Sequence, residues 1–127
     1  MRYAGIDYGK KRIGVALSDP EGRIAFPRKM IFNGGTGRVW DQLKEFFENE
    51  DVATIVVGLP IGLGGKDTDQ TAEVRVFAER LKKVTTLPIV FENEMFTTKL
   101  VRQAGVQKEH VDESCAALIL QSYLDKN

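Results

Sequence analysis

The chain has a single cysteine, Cys115, so it cannot form an internal disulfide. Its 18 basic and 18 acidic side chains leave no net charge, so nucleic-acid binding requires a local basic patch rather than an overall positive field. No apolar run is long enough to cross a membrane, and the basic stretch 10–12 interrupts the region where a signal peptide has its apolar core. We therefore expect a protein of the cytoplasm without membrane attachment.

The composition is that of a folded globular domain. Hydrophobic residues make up 43% of the chain and charged residues 28%, which excludes the disordered class. A chain of 127 residues is long enough to bury one core. We expect a single domain over residues 1–127.

The N-terminal stretch predicts a β-hairpin. Two short apolar runs, Tyr3–Ile6 and Ile13–Leu17, flank a polar turn that contains glycine. The first strand ends at Asp7, beside three consecutive basic residues, so this corner could bind a divalent cation and a phosphate together. Gly14, inside the second strand, permits close approach of a ligand or another backbone.

The rest of the chain alternates between helix and strand. The next expected element is a third strand, antiparallel to the second. Two later strands are continuously apolar, a pattern typical of parallel strands buried on both faces. The order predicts a three-layer α/β domain: a five-stranded mixed sheet, three strands antiparallel and two parallel, with helices on both faces. The first expected features are a strand over Arg23–Phe32 that is broken or bulged at Pro27 and a helix with one apolar face formed by Val39, Trp40, Leu43, Phe46 and Phe47. They are followed by a strand over Thr54–Gly58, a loop over Leu59–Asp67 and a helix capped by Asp67 or Asp69. The chain is expected to end with a strand over Leu87–Phe91, a short helix capped by Thr97 or Thr98, and a helix over Asp112–Leu124.

Acidic residues follow the predicted parallel strands. Ligands of such sheets bind beyond the carboxyl ends of the strands, where Asp7 and the pair Glu92 and Glu94 are expected. Together with Asp112 these acids would supply the hard oxygen ligands that Mg²⁺ or Mn²⁺ prefers. The spacing does not choose between Glu92 and Glu94, and it explains Asp112 equally well as a helix N-cap.

Three other features carry less chemistry. The glycine-rich loop is not a phosphate-binding P-loop, because Pro60 replaces its first glycine and Asp67 its Ser or Thr. His110, the only histidine, is either a surface residue or a proton shuttle near Asp112. Cys115 is expected in the core of the last helix.

Three motifs in order resemble those of one family. The first is Asp7-x-Gly-x-x-Arg12-Ile-Gly-Val-Ala-x-Ser18; the second is Val57-Gly-Leu-Pro60, followed by Gly65 and Phe77-Ala78; the third is Val111-Asp112, followed by Ala116-Ala117 and Ile119-Leu-Gln-Ser-Tyr-Leu124. Together they are similar to the YqgF/RuvX family, ribonuclease H-like proteins described as Holliday-junction resolvases and as nucleases that mature 16S ribosomal RNA.

The resemblance implies a ribonuclease H-like fold and a metal-dependent endonuclease that uses Mg²⁺ or Mn²⁺. It places Glu94, rather than Glu92, in the catalytic set, because Thr97-Thr98 matches the family's threonine pair. Where the family usually has Asp and Arg around that glutamate, this chain has Asn93 and Met95. The implied metal ligands are Asp7, Glu94 and Asp112, and the implied phosphate-binding cations are Arg12, Lys10, Lys11 and Lys99.

Several readings of function stay open. The preferred function is maturation of the 5′ end of precursor 16S ribosomal RNA, and the alternative is resolution of branched DNA junctions. A non-catalytic RNA-binding factor for ribosome assembly and a single-domain nucleotide binder related to sugar kinases are further possibilities. The implied partners are structured RNA or branched DNA and the ribosome or its precursor, bound by a monomer or a homodimer.

Overall fold

A computed structural model describes residues 1–35, 37–94 and 103–126 of the chain. In these ranges it contains five strands, three α-helices and two short 3₁₀ turns, at residues Leu63–Gly65 and Lys108–His110. The strands are β1 (Arg2–Asp7), β2 (Arg12–Ser18), β3 (Ala25–Phe32), β4 (Val52–Pro60) and β5 (Ile89–Glu94), and the helices are α1 (Arg38–Asn49), α2 (Asp69–Val84) and α3 (Val111–Asp125).

The strands form one mixed sheet in the order β3-β2-β1-β4-β5. β1 pairs antiparallel with β2, and β2 with β3, whereas β4 is parallel to both β1 and β5. The predicted sheet is confirmed. The expected irregularity near Pro27 is also present: the pairing with β2 passes from Lys29 directly to Pro27, so Arg28 is the extra residue. Proline is tolerated here because β3 is an edge strand.

Helices cover both faces of the sheet, as predicted. The alternation of side chains along the strands sends one set toward α1 and α2 and the other toward α3. The first face carries the larger core, built from Ile6, Val15, Val57, Leu43, Phe47, Val74 and Leu81, among others. The α3 face has a smaller core, formed by Ala16, Val56, Ala116, Ile119, Leu120 and Leu124.

Glycines on the sheet allow α3 to approach closely. A Cβ atom on Gly5 would lie 2.7 Å from the Cβ of Leu120, and one on Gly58 would lie 2.5 Å from Cδ1 of Ile119. A Cβ on Gly14 would collide with the backbone carbonyl oxygen of Asp112. The N-terminal turn of α3 is therefore in direct backbone contact with β2, the close approach that Gly14 predicts.

The start of α2 differs from the prediction. Neither Asp67 nor Asp69 caps it: the Thr68 hydroxyl accepts a hydrogen bond from the Thr71 N–H at 3.3 Å. The Thr68 N–H in turn donates to Oγ1 of Thr71 at 2.9 Å. The buried Thr71 hydroxyl also donates to the Pro60 carbonyl, so this cap joins α2 to the end of β4. Because the Pro60 carbonyl holds Thr71 in place, Thr71 is positioned to pair with Thr68, and Thr68 becomes the N-cap of α2.

The last helix also begins differently. α3 starts at Val111, and His110 occupies its N-cap position without a side-chain hydrogen bond. The alternative reading of Asp112 as the N-cap is therefore wrong, since Asp112 lies inside the first turn. Cys115 is 1% exposed in α3, which confirms its place in the core.

Smaller differences concern the later strands. β4 continues to Pro60, so the glycine-rich loop is shorter than predicted, and β5 begins at Ile89 and continues to Glu94. Both strands lengthen because they pair with each other over six consecutive positions. The short helix predicted after Thr97 or Thr98 lies largely in 95–102, outside the described residues. Within the described ranges, none of the helices has the length and apolar character needed to span a membrane.

The contact between Gly14 and α3 leads to a first prediction. Gly14→Ala should lower the free energy of unfolding by about 3 kcal/mol, because α3 has to move off β2. Urea denaturation checks this. Gly34→Ala is the matched control, since a Cβ there meets no atom within 4 Å, and its effect should stay within about 0.5 kcal/mol. Equal stabilities for the two variants would contradict the contact.

Candidate active site

Three acidic residues lie at one edge of the sheet. Asp7 ends β1 and Glu94 ends β5, and these strands run in the same direction as β4 between them. Asp112 reaches the same edge from α3, because Asp7 pairs with Gly14 and Gly14 touches the Asp112 backbone. Gly58 makes room for Glu94: a Cβ on this glycine would be 3.0 Å from the Glu94 Oε2. The two glycines therefore shape the acidic edge.

Burial and neighbouring negative charges disfavour the ionised form of Asp7. The pKa of Asp7 is raised from 3.8 to about 8, first by burial and then by the negative charges of Glu94 and Asp112. Burial also raises the pKa of Glu94. A partly buried group of carboxylates that disfavours its own ionisation gains free energy by taking up protons or a cation. Perturbed acids of this kind are typical of functional sites.

The basic residues divide into two groups. Arg12 is brought to the acids, with its Nε 3.1 Å from Oδ2 of Asp112. Lys10 pairs instead with Glu73 of α2 at 3.1 Å. Lys11 is exposed on the β1–β2 turn, and Lys99 lies outside the described residues. Of the four predicted phosphate-binding cations, the structure thus places Arg12 in contact with the acidic edge.

The carboxylates of Asp7, Glu94 and Asp112 are not arranged around a single metal position. Over the described ranges, no three His, Cys, Asp or Glu side chains lie close enough together to hold a metal ion. The ion pair with Arg12 occupies one oxygen of Asp112. The carboxylates also repel one another, so they have no reason to converge without a cation between them. A cation and Arg12 would compete for that oxygen of Asp112.

Glu92 has a different role from Glu94. It lies two residues earlier on the same face of β5 and is 5% exposed. Its Oε2 accepts hydrogen bonds from the Ser122 hydroxyl at 2.7 Å and from the Lys126 ammonium group at 2.6 Å. Glu92 therefore connects β5 to the last turns of α3. The geometry leaves Glu94, the residue singled out by the family resemblance, at the acidic edge.

The pair formed by His110 and Glu113 was not predicted from the sequence. His110 lies beside Glu113, with its Nδ1 3.4 Å from Oε2. The other oxygen of Glu113 is buried and has no hydrogen-bond partner in the described part of the chain. The spacing of three residues across the start of α3 was the available signal for this pair.

The glycine-rich turn after β4 is held by its own backbone. The Gly62 N–H donates to the Lys66 carbonyl at 2.8 Å, and the Gly65 N–H donates to the Gly62 carbonyl at 3.1 Å. Gly64 and Gly65 both adopt positive φ. These bonds use backbone groups that a phosphate-binding loop would present to its ligand, in keeping with the exclusion of a P-loop.

The sheet order, the helices on both faces and the acids at the carboxyl edge define an α/β domain of the ribonuclease H-like class. Residues 1–126 match the family model described as "RuvX: Holliday junction resolvase", and the chain belongs to this family. A solved structure of T. thermophilus RuvC in complex with a Holliday junction substrate has the same fold. It aligns with a TM-score of 0.62 at 13% identity, covering 99% of this chain and 95% of RuvC.

Two curated relatives agree with this assignment. A protein of Nitratidesulfovibrio vulgaris is 42% identical over 133 residues, covering 98% of this chain and 94% of the relative. A protein of Maridesulfovibrio salexigens is 36% identical over 132 residues, covering 98% of each chain. Both carry the name "Putative pre-16S rRNA nuclease". Family membership and these names agree in describing nucleases, enzymes that hydrolyse phosphodiester bonds.

The raised pKa of Asp7 gives a pH-dependent stability. Between about pH 4 and about pH 8 the folded protein keeps a proton on Asp7 that the unfolded chain has released. In the absence of divalent ions, Asp7 therefore makes stability fall as pH rises through this window and has no further effect above about pH 8. Asp7→Asn removes this contribution, so the variant should gain stability relative to the wild type as pH increases.

Chemical denaturation of both proteins in chelator at a series of pH values measures this difference. Glu21→Gln on an exposed turn is a suitable control, because it changes the charge by the same amount away from the site. A stability difference between Asp7→Asn and wild type that is flat from pH 4 to pH 8 would contradict the raised pKa.

Proposed function

We propose that this protein is a metal-dependent endonuclease that matures the 5′ end of precursor 16S ribosomal RNA. The observation that carries the proposal is the position of Asp7: a carboxyl group of raised pKa at the carboxyl edge of the sheet, facing Glu94 and Asp112. The substrate assignment is supported by relatives that are 42% and 36% identical along nearly their whole length and are named for this RNA. A cytoplasmic location beside the precursor ribosome follows from the same proposal.

The donor set suits Mg²⁺ or Mn²⁺. Asp7, Glu94 and Asp112 offer carboxylate oxygens, the ligands that both ions prefer, at an edge that remains open to substrate oxygens. A bound cation would also relieve the repulsion that raises the pKa of Asp7. When bound, such ions activate water and stabilise the leaving oxygen of a phosphodiester.

Arg12 has two successive roles in this proposal. In the absence of a cation it pairs with Asp112 at 3.1 Å and limits the repulsion among the acids. If Asp112 held a metal ion instead, the Arg12 guanidinium would be available at the edge of the site to bind a phosphate oxygen of the substrate. This role is important here, because Met95 stands where the family usually has an arginine.

The reaction is hydrolysis at phosphorus. The water oxygen bonds to phosphorus as the bond to one bridging oxygen breaks, and that leaving oxygen takes up a proton. Asp7, Glu94 and Asp112 would hold the ion that activates this water, and Arg12, with Lys11 exposed on the adjacent turn, would neutralise charge on the phosphate. Lys10 contributes only if its ion pair with Glu73 opens.

Resolution of four-way DNA junctions is the second candidate. The observation that favours it is the family description, which names a Holliday junction resolvase. A junction resolvase and an RNA-maturing nuclease would use the same carboxylates, so the site geometry supports both. We prefer RNA because of the names of the more similar relatives.

The test compares wild type with Asp7→Asn on two substrates, the 5′ end of precursor 16S RNA and a four-way DNA junction. With Mn²⁺ the wild type should cut the RNA, and Asp7→Asn should reduce the rate by at least about 100-fold, because it removes a charged metal ligand. Chelator should abolish cleavage. Asp41→Asn, an exposed change on α1, is the matched control and should cut at the wild-type rate.

The possible outcomes separate the candidates. Cleavage of the junction alone would replace the RNA assignment with the resolvase. Unchanged cleavage by Asp7→Asn would contradict the proposed metal site. Binding of RNA without cleavage of either substrate, by wild type and variant alike, would indicate a non-catalytic assembly factor.

A further inference from the structure

Phe32 is an exposed aromatic residue at the end of β3. Its surface is 72% exposed, the highest value among the phenylalanines of the described ranges. A single exposed apolar side chain is ordinary on a protein surface. The position of Phe32 relative to the acidic edge is what makes it informative.

The strand register places Phe32 beside the site. Phe32 pairs directly with Arg12 across the antiparallel β2–β3 ladder. Opposed residues in such a ladder point to the same face, with Cβ atoms about 5 Å apart. Arg12 reaches Asp112 at 3.1 Å, so this face is the one that carries the acids. Arg12 is thus the cross-strand neighbour of Phe32 and the ion-pair partner of Asp112.

The backbone around Phe32 is held in place. The N–H of Asn33 donates to the Lys11 carbonyl at 2.8 Å, and its side-chain Nδ2 donates to the Gly9 carbonyl at 3.0 Å. These bonds tie the end of β3 to the turn that carries Lys10 and Lys11. The backbone from which the ring projects is therefore in place before any ligand arrives, which lowers the entropy cost of binding.

The surroundings of Phe32 are basic. Arg12 and Lys11 lie on one side. On the other, a groove of about 540 Å³ along β3 is lined in part by Lys29 and Arg38, and its lining contains no carboxylate among the residues that the structure describes. A surface that combines cations with an exposed aromatic ring is complementary to a nucleic-acid strand, whose phosphates meet the cations and whose bases stack on the ring.

We propose that Phe32 is a stacking platform for an unpaired base next to the phosphate that is cut, with Lys11 contacting the adjoining backbone and Arg12 joining it when its ion pair with Asp112 opens. The proposal builds on the proposed nuclease function, which defines where cleavage occurs. It concerns single-stranded or unpaired nucleotides, because only an unstacked base can expose its face to the ring.

A second copy of the chain is a less suitable occupant of this surface. Two β3 strands that paired edge to edge would bring Arg28 and Lys29 of both copies close together, and the irregularity at Pro27 interrupts regular pairing. Charges, proline and bulges on an edge strand are features that oppose such association.

The test measures binding of the full-length protein to a fluorescent RNA hairpin with a single-stranded 5′ flank. Anisotropy is recorded in chelator, so that no cleavage occurs. Phe32→Ala should weaken binding by about 5- to 150-fold, the loss expected when one base–aromatic stack is removed, and Phe32→Trp should restore it. A fully paired duplex of the same length should show little difference between the proteins.

Phe26→Ala is the matched control. Phe26 is also an exposed phenylalanine of β3, at 50%, but it pairs with Leu17 at the far end of the strand. Leu17 belongs to the core on the α1 and α2 face, so Phe26 points away from the acids. Its replacement should leave RNA affinity unchanged.

The proposal is overturned if Phe32→Ala binds the flanked hairpin as tightly as wild type, or if Phe26→Ala weakens binding equally. It is also overturned if Phe32→Ala changes only the sedimentation behaviour, which would identify a dimer contact. Its failure is distinguishable from failure of the nuclease proposal. RNA binding that depends on Phe32 in a protein that never cleaves would support the platform alone, whereas cleavage that depends on Asp7 with no effect of Phe32 would support the nuclease alone.

Discussion

The close contact between α3 and the sheet is the constraint on which the site depends. Helices normally pack on sheets through side chains, but here glycines at positions 5 and 14 bring the helix to backbone distance, and Gly58 makes room for the Ile119 side chain. The contact with β2 places the first turn of α3 beside the end of β1. Asp112 and Asp7 are therefore neighbours although 105 positions separate them in the chain. The free energy of this packing holds the acids near one another against their mutual repulsion.

Repulsion at the edge is balanced by attraction elsewhere on the same helix. At the opposite end of α3, Glu92 accepts hydrogen bonds from Ser122 and Lys126, which ties the helix to β5. Between the two ends, the apolar residues of α3 pack on Ala16 and Val56. The helix is thus anchored at its centre and C-terminal end, and its N-terminal turn can carry a carboxylate beside other carboxylates. Arg12 offsets part of that charge through its ion pair with Asp112.

Much of the fold follows from local patterns, and the rest depends on contacts between distant residues. Alternating and continuous apolar runs predicted the five strands, and the spacing of Val39, Leu43 and Phe47 predicted the buried face of α1. Threonine caps α2 because its partner Thr71 also bonds to Pro60 across the loop, which no local pattern records. Glu92 and Glu94 share a face of one strand, and only the position of α3 gives them different surroundings. Local patterns identified Asp7 as a candidate metal ligand. The ion pair between Arg12 and Asp112 could be found only from the tertiary fold, because it joins β2 to α3.

The most direct test of the account is to locate the cation. Crystals of the full-length protein grown with Mn²⁺ should show an anomalous difference peak coordinated by Asp7, Glu94 and Asp112, with Arg12 moved away from Asp112. Crystals of Asp7→Asn grown in the same way should lack that peak. Mn²⁺ bound elsewhere, or an Arg12–Asp112 ion pair that stays closed with no ion at the edge of the sheet, would contradict the central claim that this packing builds a metal site.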